Sequence, residues 1–134
     1  MTLSTHVLDA TTGRPAAGVR VRLERAGDTG WAPAGEGTTG PDGRLRLSGD
    51  PGDPGDPGDP GDPGDPGDPG DPAADGGEPG VYRMTFGSGA YFKARGSATF
   101  YPEVSITFEM TERAEHYHVP LLLSPFAYST YRGS

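Results

Sequence analysis

The sequence predicts an all-β sandwich or barrel of about eight short strands with one short helix. Apolar and polar residues alternate along several short segments, which is typical of strands with one buried and one solvated face. Turn signals rich in Gly, Pro and Asp separate these segments. We expect strands near 3–9, 18–25, 31–38, 44–48, 80–86, 103–110, 116–123 and 126–131.

The alternation is clearest in three of these segments, where it also identifies the buried face. The apolar positions are Val19, Val21 and Leu23; Leu45 and Leu47; and Val104, Ile106, Phe108 and Met110. Because strand side chains alternate between two faces, Arg44 should lie on the face opposite Leu45 and Leu47. An arginine in such a position is most often simply solvated.

Turns and the helix follow from local signals between the strands. Thr12-Gly13-Arg14-Pro15 and Gly40-Pro41-Asp42-Gly43 combine Gly with Pro, which favours tight corners between paired strands. The segment from Ser88 to Gly96 predicts a helix of about two turns, with Ser88 as a candidate N-cap and Gly96 at its end. Tyr91 or Phe92 should pack this helix onto the sandwich.

A perfect repeat of eight Gly-Asp-Pro units occupies residues 49–72. It holds 8 of the 19 acidic residues and none of the 11 basic ones, and it contains no apolar side chain. Such a segment cannot offset the entropy of ordering, so we expect a disordered loop inserted in a single domain of residues 1–134. A collagen-like triple helix shares the three-residue period, but eight triplets are few for one.

Charge and composition exclude several classes of protein. Outside the repeat, 11 acidic residues balance 11 basic ones, which argues against a nucleic-acid-binding surface. The absence of cysteine excludes disulfides and thiolate chemistry and is compatible with a reducing compartment. Neither a signal peptide nor a membrane span is visible, so the expected location is the cytoplasm.

Three histidines are the main candidates for chemistry: His6, His116 and His118. His116 and His118 should share one face of a strand, because they are two residues apart. Three imidazoles could hold zinc and leave one coordination position open, although a single His-x-His pair often occurs in strands by chance. Equally, His6 and His118 could be partly buried residues with backbone partners and no role in chemistry.

Five stretches outside the repeat carry a recognisable pattern. They are Ser4-Thr5-His6-Val7-Leu8-Asp9, Asp42-Gly43-Arg44, Tyr91-Phe92, Phe100-Tyr101-Pro102-Glu103-Val104, and the segment from His116 to the terminal Tyr131-Arg132-Gly133-Ser134. Together they resemble the 5-hydroxyisourate hydrolases, the enzymatic branch of the transthyretin-like family. The terminal Tyr-Arg-Gly-Ser distinguishes these enzymes from the hormone carriers.

The resemblance implies a prealbumin/transthyretin-like β-sandwich that assembles as a homotetramer, a dimer of dimers, with active sites in the channel where the dimers meet. It implies hydrolysis of 5-hydroxyisourate to 2-oxo-4-hydroxy-4-carboxy-5-ureidoimidazoline in urate breakdown, with no metal or organic cofactor. The catalytic residues it implies are His6, Arg44 and His118. Its substrate-binding residues are His6, Arg44, Tyr131 and Ser134, and His116 is a lesser neighbour.

These side chains suit the opening of a cyclic amide. Imidazoles can deprotonate water and protonate the departing nitrogen, and a guanidinium can stabilise an oxyanion. Which histidine is the base and which the acid stays open. A carrier with a channel for a flat aromatic ligand is the main alternative, because fold alone does not fix function. A scaffold that displays the repeat is a third hypothesis.

Overall fold

The computed structural model describes residues 2–47, 79–112 and 116–133. In chain order the elements are β1 (Thr2–Asp9), β2 (Arg14–Pro15), β3 (Arg20–Gly27), β4 (Gly30–Thr38), β5 (Arg44–Leu47), β6 (Gly80–Phe86), α1 (Ser88–Ala94), β7 (Val104–Met110), β8 (His116–Leu123) and β9 (Tyr128–Thr130). The repeat predicted to be a disordered loop, residues 49–72, lies outside the described residues, as does Ser134.

The predicted architecture of strands with one short helix is confirmed, but the described part contains nine strands rather than eight. The additional strand is β2, which pairs its two residues with Leu8 and Asp9 of β1. Sequence signals gave only a turn there, because two residues are too few to show alternation. The last predicted strand, 126–131, is shortened to β9, because a turn joins the Ser124 amide to the Ala127 carbonyl.

The first sheet is built around β1. On one side β1 pairs in parallel with β8 along its whole length, and β9 adds an antiparallel edge beyond β8. On the other side β2 and β5 share the same edge of β1, with β2 pairing at its end and β5 at its beginning. This sheet therefore brings the first and the last two described strands together.

The second sheet is antiparallel throughout, in the order β4-β3-β6-β7. The core combines apolar residues of both sheets, and its largest fully buried side chains include Leu23, Tyr82, Met84, Phe86, Phe92, Leu121 and Leu123. The alternation read from the sequence is confirmed here: Val19, Val21 and Leu23 are buried, and Arg20 and Arg22 are exposed. Burial of this apolar surface is the main stabilising term of the fold.

Helix α1 packs on the sandwich through both predicted aromatics, Tyr91 and Phe92. The prediction of Ser88 as the N-cap is wrong. Gly87 takes that position without a side-chain cap, and the Ser88 hydroxyl donates instead to the Tyr101 carbonyl at 3.4 Å. Gly96, with φ of 74°, ends the helix as expected. No helix within the described ranges is long and apolar enough to span a membrane.

Asp9 is a buried carboxylate that ties the end of β1 to α1. Its Oδ2 accepts a hydrogen bond of 2.9 Å from the Tyr91 hydroxyl, and its Oδ1 accepts one of 2.9 Å from the Thr11 amide. Burial alone would raise the pKa of Asp9, but the hydrogen bonds from Thr11 and Tyr91 outweigh it, and the pKa lies below its ordinary value of 3.8. Asp9 is therefore ionised and partnered at neutral pH.

Replacing Tyr91 with Phe should lower the free energy of unfolding by about 1–3 kcal/mol at pH 7, because a buried carboxylate loses its partner. The pKa of Asp9 is depressed by folding, so its stabilisation is present above the unfolded pKa and is lost as the pH falls below 3.8. The difference in the free energy of unfolding between Tyr91→Phe and wild type should therefore become smaller below pH 3.8.

Urea unfolding at a series of pH values measures this effect. Tyr128→Phe, at an exposed position on β9, is the matched control and should stay close to wild type. Equal stability of Tyr91→Phe and wild type at pH 7 would contradict the role assigned to the Tyr91–Asp9 hydrogen bond.

Candidate active site

Three of the predicted site residues lie on the same outer face of the first sheet. His6 on β1 is directly opposite Arg44 on the antiparallel strand β5. His118 on β8 is directly opposite Ser4, which is two residues before His6 on the same face of β1. The inner faces of these strands are buried in the core, so the polar side chains are presented together on the outside.

The position of Arg44 is set by the two residues before it. The Asp42 carboxylate accepts a hydrogen bond from the Arg44 amide at 3.0 Å and so forms the turn into β5. Gly43 has φ of 78°, and its carbonyl accepts from the Val7 amide at 2.8 Å. A Cβ at Gly43 would lie 2.5 Å from the Val7 carbonyl oxygen, so only glycine allows β5 to start beside β1.

The Arg44 guanidinium remains largely available. Its Nε lies 3.8 Å from Asp42 Oδ2, and the two side chains are 58% and 50% exposed. An exposed ion pair of this kind is worth little, so a ligand oxygen can compete for the guanidinium.

His118 is held by a hydroxyl group. Its Nδ1 lies 2.8 Å from the Ser4 Oγ, and the same oxygen lies 3.2 Å from the Nε2 of His116. The other ring nitrogen of His116 contacts the Thr2 hydroxyl. With Nδ1 occupied, His118 has Nε2 left for a ligand or a water molecule.

The C-terminal segment is bound to β8 at the site. The Gly133 amide donates to the His118 carbonyl at 2.8 Å, and the Thr130 hydroxyl donates to the Pro120 carbonyl at 2.7 Å. A Cβ at Gly133 would lie 2.6 Å from Cδ2 of the His118 ring. A glycine is therefore required for this backbone to lie against the imidazole.

Two predicted residues of this segment are less closely tied to the site. Tyr131 is 59% exposed, which leaves its ring accessible to a ligand or to another subunit. Ser134 lies outside the described residues.

The environment keeps His118 and His116 uncharged at neutral pH. Burial lowers the pKa of His118 below its ordinary value of 6.5, and the neighbouring side chains of His116, Arg44 and His6 lower it further. Burial and Arg46 lower the pKa of His116 in the same way. A neutral imidazole can accept a proton from water, which a charged one cannot.

The zinc site considered as an alternative would need the three histidines to lie together as ligands. Across residues 2–47, 79–112 and 116–133, no three His, Asp or Glu side chains are grouped so that they could hold a metal ion. The imidazole nitrogens of His116 and His118 contact hydroxyl groups of β1 instead.

Sequence reasoning missed Ser4 and Gly133 as parts of this arrangement. Ser4 lies two residues before His6, so the period of two places it on the same face, but its pairing with His118 depends on the register of β1 and β8. Gly133 belongs to the terminal motif, yet its contact with His118 appears only once the chain has folded back along β8.

Comparison with known proteins gives one consistent result. A model of the HIUase/transthyretin family matches residues 3–133. A 5-hydroxyisourate hydrolase from Salmonella typhimurium is 42% identical over 132 residues, which are 98% of this chain and 80% of that protein.

Two solved structures are similar over nearly the whole chain. The Klebsiella pneumoniae 5-hydroxyisourate hydrolase superimposes with a TM-score of 0.70 at 30% identity and covers 100% of both chains. Transthyretin from Sparus aurata gives a TM-score of 0.73 at 26% identity and covers 98% of this chain and 95% of its own. The fold is thus shared with both a 5-hydroxyisourate hydrolase and a transthyretin.

Replacing Arg44 with Gln should raise the pKa of His118 towards 6.5, because it removes one of the positive charges that disfavour the imidazolium. NMR titration of the imidazole protons measures this pKa directly. Arg20→Gln, on β3 of the other sheet, is the matched control and should leave the titration unchanged. An unchanged titration in Arg44→Gln would show that Arg44 does not act on His118.

Proposed function

The chain belongs to the HIUase/transthyretin family, and we propose that it is a 5-hydroxyisourate hydrolase of urate degradation. Its product would be 2-oxo-4-hydroxy-4-carboxy-5-ureidoimidazoline. The observation that carries the proposal is the position of His6, Arg44 and His118 on one face of three adjacent strands. The residues that we assign to amide opening therefore lie on the same face of adjacent strands.

Each chemical requirement of the reaction has a candidate in this arrangement. Water must lose a proton as it attacks the ring carbonyl, and the departing nitrogen must gain one; His6 and His118 serve these two steps. The carbonyl oxygen becomes an oxyanion, and the Arg44 guanidinium opposite His6 stabilises it. The lowered pKa of His118 keeps its imidazole neutral, so it can take or relay a proton at neutral pH.

Substrate binding uses the same face of the sheet. The planar guanidinium of Arg44 can donate paired hydrogen bonds to urate-like oxygens. The exposed Tyr131 and the terminal Ser134 are proposed to contact the substrate at the other side. We further propose that the site is completed in a homotetramer, a dimer of dimers, and that the reaction needs no metal. The single domain interrupted by the repeat, and the cytoplasmic location, stay predictions.

Alanine replacements test the residue roles. His6→Ala, Arg44→Ala and His118→Ala should each lower turnover about 100-fold or more, because each removes an acid–base group or the oxyanion donor. The rate is measured as the ultraviolet absorbance of 5-hydroxyisourate, generated in place by urate oxidase and corrected for spontaneous decay.

Arg20→Ala is the control, because this arginine lies on the other sheet and is 72% exposed. Near-full activity in a folded His6→Ala, Arg44→Ala or His118→Ala variant would show that the replaced residue is not part of the site. Decay at the spontaneous rate with the wild-type protein would favour the carrier hypothesis, and loss of activity on adding a chelator would contradict the metal-free reaction.

Gly133→Ala tests whether the terminal segment must lie against His118. The added methyl group would displace either the His118 ring or the segment, so turnover should fall about 10-fold or more while the core is untouched. Gly35→Ala on β4 is the control, since its Cβ would meet only Leu47 at an ordinary 3.9 Å. Wild-type turnover in Gly133→Ala would show that this contact is dispensable.

A further inference from the structure

An unbroken line of hydrogen-bonding groups leads from the first residues of β1 and β8 to His118. Thr2 Oγ1 contacts Nδ1 of His116, Nε2 of His116 lies 3.2 Å from Ser4 Oγ, and Ser4 Oγ lies 2.8 Å from Nδ1 of His118. Hydroxyls and imidazoles alternate along this line. Each of these groups can both accept and donate a proton.

The arrangement follows from the register of two strands. β1 and β8 run in parallel with Thr2 opposite His116 and Ser4 opposite His118, so side chains of one face form two successive cross-strand pairs. The Ser4 hydroxyl lies between the two rings and bridges the pairs. His116 is exposed and His118 is half-buried, so the line begins at solvent and ends inside the site.

We propose that Thr2, His116, Ser4 and His118 form a proton wire that connects bulk water to Nε2 of His118. Ser4 and His116 are then positioning residues, which act through His118 and do not contact the substrate. The inference rests on the proposed function, because the wire serves a histidine that exchanges protons during hydrolysis.

Two proton arrangements of the wire are chemically complete. In the first, both rings carry the proton on Nε2, the Thr2 and Ser4 hydroxyls donate to the Nδ1 atoms, and His118 presents an N–H to the site. In the second, both rings carry the proton on Nδ1, every hydrogen bond is reversed, and His118 presents a lone pair. The two rings therefore always have the same tautomer.

Passing between these arrangements moves one proton through the wire. Going from the first to the second, His118 Nε2 gives one proton to the departing nitrogen. Each group of the wire then transfers a proton to its neighbour on the side of His118, and water gives one proton to Thr2 Oγ1. The reverse passage takes a proton from the attacking water and releases one to solvent. Neither ring carries a net charge at the beginning or the end.

The surroundings of the two rings fit this neutral mechanism. Among the residues that the structure describes, the other titratable or charged groups that act on them are His6 on β1 and Arg44 and Arg46 on β5. The terminal segment contributes the backbone of Gly133, which carries no titratable group. Positively charged neighbours disfavour an imidazolium. A wire that returns His118 to its starting tautomer without charging the ring is therefore favoured over a cycle in which the ring stays protonated.

NMR of the ring nitrogens of His116 and His118, in the full-length protein without substrate, tests the wire independently of catalysis. Wild type should show the same fraction of the Nδ1–H tautomer in both rings. Ser4→Ala should make the two fractions differ, and Ser4→Thr, which keeps the hydroxyl, should restore them. Different tautomer fractions in the wild-type rings would overturn the proposal.

Kinetics supply the second measurement. Ser4→Ala and His116→Gln should lower kcat about 100-fold with KM unchanged, and added imidazole buffer should recover part of the rate, because it replaces the missing carrier. Thr107→Ala, at an exposed strand position on β7, is the control for loss of a hydroxyl. His116 is exposed, so His116→Gln should fold normally and tests the wire even if Ser4→Ala does not fold.

The two proposals fail in different ways. Wild-type kcat in a folded Ser4→Ala or His116→Gln, or a loss of rate that buffer does not relieve, would overturn the wire and leave the hydrolase intact. Equal tautomer fractions in a wild-type protein that does not accelerate 5-hydroxyisourate decay would support the wire and overturn the hydrolase.

Discussion

The parallel pairing of β1 with β8 is the constraint on which the rest of the structure depends. It joins the first described strand to the penultimate one along all eight residues of each, and the buried Thr5 hydroxyl fixes it by donating to the Val119 carbonyl at 2.6 Å. One face of this pair completes the core, and the other presents His6, Ser4 and His118. A shift of one residue in register would exchange the two faces and remove the site.

Rigidity of the site follows from this pairing. The candidate catalytic side chains extend from strands and not from long loops, so core packing on the inner face helps to fix their positions. Two glycines then allow the backbone to approach where a side chain would prevent it, Gly43 beside Val7 and Gly133 beside His118. The same fold occurs in transthyretin, and a fold alone does not determine the chemistry of a protein.

How much the sequence predicted depends on the range of the interaction. Alternation correctly placed Arg44 away from Leu47, and it put His116 and His118 on one face, because both follow from local periodicity. The contact between Ser4 and His118 joins residues 114 positions apart and depends on strand register, which periodicity does not give. The buried Asp9 and the two-residue β2 were missed because their partners come from other elements.

The position of β1 also has a consequence for the order of folding. During synthesis on the ribosome, β1 emerges before the other described strands, and β2 and β5 can pair with it early because they follow within the next few dozen residues. The other edge of β1 pairs with β8, which is complete only when the chain has been translated as far as Leu123. Until then one edge of β1 lacks its partner strand, a state prone to aggregation. The nascent chain therefore brings the candidate site residues of β1 and β8 together only late in its synthesis.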